Sequence, residues 1–76
     1  MTTYGMFTPQ GDKAVHKALE PRLKEVRRAR KEGYEPTDRK LENLMFEVMT
    51  VVTEQGFREV GDTAVREEMW AALKKA

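Results

Sequence analysis

The sequence contains no cysteine and no serine, and its only histidine is His16. Catalytic arrangements in which a histidine activates a serine or cysteine nucleophile are therefore excluded. Disulfide bonds are excluded as well, and so are the thiolate and imidazole clusters that hold structural zinc. We accordingly expect a protein with no enzymatic activity, no metal site and no cofactor. His16 is interpreted as an ordinary side chain of an N-terminal helix, with contact to a partner as the alternative.

Glycines and carboxylates do not form known site motifs either. The five glycines are isolated from one another, so neither the P-loop nor the dinucleotide-binding glycine pattern is present. Glu67 and Glu68 are adjacent on a predicted helix and point in different directions, so they are not placed to share one metal ion. Like Glu59 and Asp62, they are interpreted as solvated surface charge.

Long apolar runs are also missing from the sequence. No segment approaches the roughly 18 consecutive apolar residues that span a bilayer. The amino terminus lacks the basic stretch followed by an apolar run that is typical of a signal peptide. These absences favour a cytoplasmic protein with no membrane partner.

The apolar residues that are present recur at helical spacing, which predicts an all-α domain of three or four helices. We expect a short arm over residues 1–8 and a single helical domain over residues 9–76. Thr8 and Pro9 are typical of a helix start. Pro21 should kink the helix that follows or divide it in two, near residues 18–20. The apolar stripe of this helix consists of Val15, Leu19, Leu23 and Val26.

Two further helices are predicted downstream of Gly33, which is suited to end the first one. The second helix begins at Thr37, and its apolar stripe makes it the expected central and most buried helix. Gly56 should close it, and residues 58–61 should form a simple connection. The last helix is capped by Asp62 or Thr63. The second stripe consists of Leu41, Leu44, Met45, Val48 and Val52, and the third of Val65, Met69, Ala72 and Leu73.

Charge is concentrated in the first helix, although the net charge of the whole chain is only +1. Residues 13–31 contain eight cations and two anions, a balance of +6, and the rest of the chain carries −5. The basic segment is either a solvated face that offsets the acidic remainder, or a surface for phosphates or for an acidic protein. The residues predicted to contact a partner here are Arg27, Arg28, Arg30 and Lys31.

The arm contains three large apolar residues, Tyr4, Met6 and Phe7, of types that are enriched in protein interfaces. They are predicted to form an apolar anchor for a larger protein partner, and the alternative is that the arm folds over the core as a lid. Self-association is a further option for so small a domain. Recognition of nucleic-acid bases is less favoured, because the last helix carries Glu67 and Glu68 where phosphates would approach.

Both ends of the sequence resemble a known group of proteins. The segment Tyr4-Gly5-Met6-Phe7-Thr8-Pro9-Gln10-Gly11-Asp12 and the segment Asp62-Thr63-Ala64-Val65-Arg66-Glu67 are similar to the ends of small accessory proteins of tailed bacteriophages. Among these, the chain looks like the small RNA-polymerase-binding transcription inhibitors of Xanthomonas phages. The resemblance implies a protein in the host cytoplasm that binds host RNA polymerase and inhibits or redirects transcription. It transfers no residue role, and phosphate binding through the basic helix is the alternative function.

Overall fold

Three α-helices joined by short loops form the fold in a computed structural model that describes residues 4–76. The first helix, α1, runs over Pro9–Lys31, α2 over Asp38–Glu54 and α3 over Thr63–Lys75. A 3₁₀ turn at Arg58–Gly61 connects α2 to α3. No β-strand occurs within the described residues, so the domain belongs to the predicted all-α class.

Threonine side chains cap the first two helices, as predicted. The Thr8 hydroxyl accepts a hydrogen bond from the backbone N–H of Gly11 at 3.1 Å, and Pro9 takes up the first helical position. The Thr37 hydroxyl accepts from the N–H of Lys40 at 3.1 Å. Each bond satisfies one of the amide groups that a helix start leaves free.

Glycines in the left-handed conformation end the first two helices. Gly33 has a φ of 86° and Gly56 a φ of 98°, values that residues with a Cβ rarely adopt. After Gly56, the N–H of Phe57 donates to the carbonyl of Val52 at 3.3 Å, and the Phe57 side chain packs against the core. Phe57 therefore folds back onto the last turn of α2.

Pro21 does not divide the first helix, so of the two alternatives predicted near residues 18–20, a kink or a break, the break is wrong. The helix α1 continues through Pro21, which lies on its exposed side. Proline removes the amide that would donate to the carbonyl of Lys17. Because Lys17 is also exposed, water can reach that carbonyl. One residue further on, the Arg22 guanidinium donates to the carbonyl of Ala18 at 2.7 Å.

The core lies between the three helices, each of which contributes fully buried side chains. The helix α2 packs against α1, α3 and the 3₁₀ turn, which agrees with its predicted central place. It is not the most buried helix, because α1 has eight buried residues and α2 has five. Val60 in the 3₁₀ turn is fully buried, so this segment is more than the simple connection that was expected. The largest fully buried side chains are those of Val15, Leu19, Val26, Leu41, Val48, Val52, Val60, Val65, Met69 and Leu73.

Candidate functional site

The described part of the arm, residues 4–8, begins with a residue that belongs to the core. Tyr4 is only 4% exposed, and its backbone N–H donates to the Asp12 carboxylate at 2.7 Å. Its ring meets the imidazole of His16 edge-on, with 4.8 Å between the ring centroids. Burial, and next the charge of Asp12, raise the pKa of the Tyr4 hydroxyl. Tyr4 was predicted to contact a partner, but in this structure it is the part of the arm that acts as a lid.

Asp12 was not singled out by the sequence, yet it holds the arm in place. Its side chain is buried, in the first turn of α1, where a negative charge also interacts favourably with the helix dipole. One carboxylate oxygen accepts from Tyr4, and the other lies 3.9 Å from Nε2 of His16. The only sequence signal for this arrangement is an aspartate in the first helical turn with a histidine four residues later.

Phe7 and Met6 form the exposed end of the arm. Phe7 is 80% exposed, the highest value among the large apolar side chains of residues 4–76. Met6 is half-buried and packs near Gly11, where an added Cβ would come within 3.0 Å of the Met6 methyl group. A surface pocket of about 590 Å³ opens beside them. Its lining comprises Met6, Phe7, Thr8, Pro9, Gln10, Asp12 and Lys13.

Arg30, one of the four predicted contact residues in the basic segment, is used inside the molecule. Its guanidinium donates to the carboxylate of Glu35 at 2.9–3.2 Å and to the carbonyls of Leu73 and Ala76. The hydrogen bond from Arg30 holds the pKa of Glu35 below its usual value. Arg30 therefore fastens the end of α1 to the following loop and to the end of α3.

The other three predicted cations remain at the surface. Arg27 forms an exposed ion pair with Glu20 at 3.3 Å. Arg28 and Lys31 are exposed and form no ion pair with any residue in the 4–76 range. The structure thus divides the predicted group into one structural arginine, one paired arginine and two open cations.

The two open cations are part of a longer surface feature, which we call the basic ridge. It consists of Lys13, Lys17, Lys24, Arg28 and Lys31, all exposed and all without an ion pair to a described residue. At 3.6 residues per turn these positions fall within about 60° of arc on the outer face of α1, and they extend for about 27 Å along its axis. The sequence analysis noted the charge of this segment but not the alignment of its unpaired members.

The two halves of the predicted contact surface lie at opposite ends of α1. Phe7 precedes the first turn, whereas Arg28 and Lys31 are in the last two turns, about 28 Å or more away along the helix axis. A standard interface buries about 800 Å² on each partner, which corresponds to a patch of similar width. Phe7 could therefore contact the same partner as Arg28 and Lys31 only if they lay at opposite edges of one interface.

Comparison with known proteins returned no match. No protein-family model, no curated protein and no solved structure matches the chain.

Neither a metal cluster nor a membrane-spanning helix is found in the described part of the chain. Residues 4–76 include no group of three or more histidine, aspartate or glutamate side chains placed to hold a metal ion. The helices of this range are too short or too polar to cross a bilayer. Two surface features thus remain as candidates for function, the exposed end of the arm and the basic ridge.

Proposed function

We propose that the protein is a non-enzymatic binding module that docks on a larger protein through the exposed end of its arm. The observation that carries this proposal is the 80% exposure of Phe7. Aromatic side chains are enriched at protein interfaces because they bury a large apolar area in a defined geometry.

Phe7 is held in position by the residues around it. Tyr4 is fixed by burial and by its hydrogen bond to Asp12, and Thr8 is fixed by capping α1. An anchor between two fixed points loses less conformational freedom on binding than one on a loose arm. This arrangement supports docking, because the conformational entropy of Phe7 is already reduced when the domain folds.

The chemistry around Phe7 defines the partner that would fit. Met6 and Pro9 extend the apolar surface, and Lys13 adds a positive charge at its margin. A matching site offers an apolar pocket with a carboxylate at its rim. Host RNA polymerase, the partner implied by the resemblance to phage transcription inhibitors, is the specific partner we propose, with inhibition or redirection of transcription in the host cytoplasm as the outcome.

A photo-crosslinking experiment tests the docking site. Phe7 is replaced by p-benzoylphenylalanine, and the matched control carries the same replacement at Phe46, which is 46% exposed on α2. Both proteins are irradiated with purified bacterial RNA polymerase in the presence of nuclease. We expect a discrete crosslink to one polymerase subunit from position 7 and none from position 46.

Affinity measurements make the test quantitative. Loss of an interface anchor typically costs about 2 kcal/mol or more, so Phe7→Ala should weaken binding on the order of 30-fold. Phe46→Ala should leave the affinity unchanged. Equal crosslinking from both positions, or equal affinities of the two alanine variants, would argue against docking through the arm. A crosslink between two copies of the chain would indicate that the docking site serves self-association and does not bind RNA polymerase.

A further inference from the structure

We infer that the basic ridge is a binding surface for the phosphate backbone of nucleic acid, separate from the docking site at Phe7. The ridge comprises Lys13, Lys17, Lys24, Arg28 and Lys31 on the outer face of α1. The two surfaces share only Lys13, at the end of the ridge nearest the arm. The other four ridge cations lie outside the docking site, so this inference does not depend on the proposed docking function.

The charge of the ridge is not neutralised within the described part of the molecule. The other three cations of α1 have acidic partners: Arg22 pairs with Glu47, Arg27 with Glu20 and Arg30 with Glu35. Glu25, the second carboxylate within the basic segment, pairs with Lys40 at 3.1 Å. Both carboxylates within residues 13–31 are therefore paired with cations outside the ridge, and the five ridge cations form no ion pair with a described residue.

The length of the ridge fits a polymer of anions better than a single one. Successive ridge cations lie about 4.5–10.5 Å apart along a line of about 27 Å, so a lone phosphate could meet only one or two of them. A DNA strand carries one phosphate about every 3.4 Å, which allows all five cations to find a partner. A helix about 10–12 Å in diameter also matches a major groove about 12 Å wide.

The composition of the ridge favours nucleic acid over a protein or a membrane. Four of its five members are lysines, which are depleted in protein interfaces, and Pro21 is the only exposed apolar residue between Lys17 and Lys31. A helix that binds a membrane surface inserts its apolar face into the lipid. The apolar face of α1 is instead buried in the core, through residues such as Val15, Leu19 and Val26.

Binding through the ridge is expected to be independent of nucleotide sequence. Lysine acts as a flexible point charge toward phosphate, and phosphate contacts fix position without reading bases. Arg28 is the one ridge side chain with the planar guanidinium that recognises guanine. The ridge therefore suits the backbone of any duplex.

Salt-dependent affinity for a fluorescent duplex of arbitrary sequence tests this inference. With one phosphate for each ridge cation, a plot of log Kobs against log salt concentration should have a slope of about −4.5. The ridge variant combines Lys17→Gln, Lys24→Gln and Arg28→Gln, and its slope should fall to about −1.8.

A matched control removes three charges elsewhere. It combines Arg39→Gln, Arg58→Gln and Lys75→Gln, at exposed cations that form no ion pair with a described residue and lie outside the ridge. Its net charge equals that of the ridge variant, and its slope should stay near that of the parent. Circular dichroism checks that both proteins remain helical. Should the ridge variant fail to fold, Lys24→Gln alone should reduce the slope by about 0.9.

Three results would overturn the inference. The first is absence of duplex binding at low salt, and the second is an equal loss of affinity in the ridge and control variants. The third is equal or tighter binding to polyglutamate or to vesicles containing phosphatidylserine, which would assign the ridge to an acidic protein or to a membrane. Phe7→Ala should leave duplex binding unchanged, so failure of the ridge inference is distinguishable from failure of the docking proposal.

Discussion

Replacement of Pro21 by alanine should stabilise the domain. A proline inside a helix is less favourable than alanine by about 3 kcal/mol, mainly because it removes one hydrogen bond and crowds the preceding turn. Pro21 is exposed, so its removal leaves no cavity in the core. Alanine restores a donor for the carbonyl of Lys17. Because water can already solvate that exposed carbonyl, we expect a net gain in the free energy of unfolding of about 1–3 kcal/mol.

The gain is large enough to measure by thermal and urea denaturation. In a domain of this size, each 1 kcal/mol corresponds to a shift in Tm of roughly 4–8 °C, so Pro21→Ala should raise Tm by about 4–24 °C. Pro21→Gly is the control, since it restores the same donor but has a helix propensity about 1 kcal/mol below that of alanine. Its Tm should lie between those of the parent and the alanine variant. A Tm for Pro21→Ala at or below that of the parent would refute a continuous α1.

Three further perturbations test the core and the arm. Leu44→Ala or Val48→Ala should lower the free energy of unfolding by about 2–4 kcal/mol, because both side chains are buried. Arg30→Gln should destabilise the domain by about 1–2 kcal/mol in urea denaturation, since it removes the hydrogen bonds from the guanidinium to the carbonyls of Leu73 and Ala76, whereas Arg28→Gln should not. Burial raises the pKa of the Tyr4 hydroxyl from 10.0, so the protonated hydroxyl should contribute its full stability below pH 10 and lose it as the pH rises further. Base-induced unfolding of the parent, compared with that of Tyr4→Phe, measures this loss.

Each of these expectations has a contrary outcome. Melts of Leu44→Ala and Val48→Ala that match the parent would contradict the core assignment. Equal stability losses for Arg30→Gln and Arg28→Gln would show that the fastening role of Arg30 is unimportant. For Tyr4, unfolding at the same alkaline pH with and without the hydroxyl would show that the raised pKa contributes nothing to stability.

The sequence was sufficient to predict the features that depend on neighbouring residues. Thr8 and Thr37 cap helices because a hydroxyl can reach an amide three residues ahead. Gly33 and Gly56 end helices because they adopt a positive φ without steric cost. Helical spacing likewise predicted the buried stripes, since the inward residues of a helix recur every three or four positions.

Features that depend on distant partners could not be predicted in the same way. Arg30 and Arg28 are two residues apart and chemically identical, and only the position of α3 makes one structural and leaves the other open. The burial of Tyr4 depends on a core formed by all three helices. Pro21 was expected to kink α1 or divide it in two, but α1 is continuous, because packing of the apolar face on both sides of Pro21 outweighs the local preference.

The difference between local and distant contacts also explains why the sequence revealed only part of the basic ridge. The run of cations in residues 13–31 is plain in the sequence, but their availability depends on which of them meet carboxylates. Glu47 comes from α2 and Glu35 from the loop after α1, and neither pairing follows from local spacing. The unpaired set is therefore a tertiary property, although each member is a surface lysine or arginine.

The contact of Arg30 with the end of α3 has a consequence for local opening of the chain. Terminal turns of helices usually fray, and their amides exchange with solvent at almost no cost in free energy. Here a side chain from α1 donates to the carbonyls of Leu73 and Ala76, so the last turn of α3 can open only when a contact with the first helix breaks. Amide protons near the end of α3 should therefore exchange more slowly than those of a free helix end.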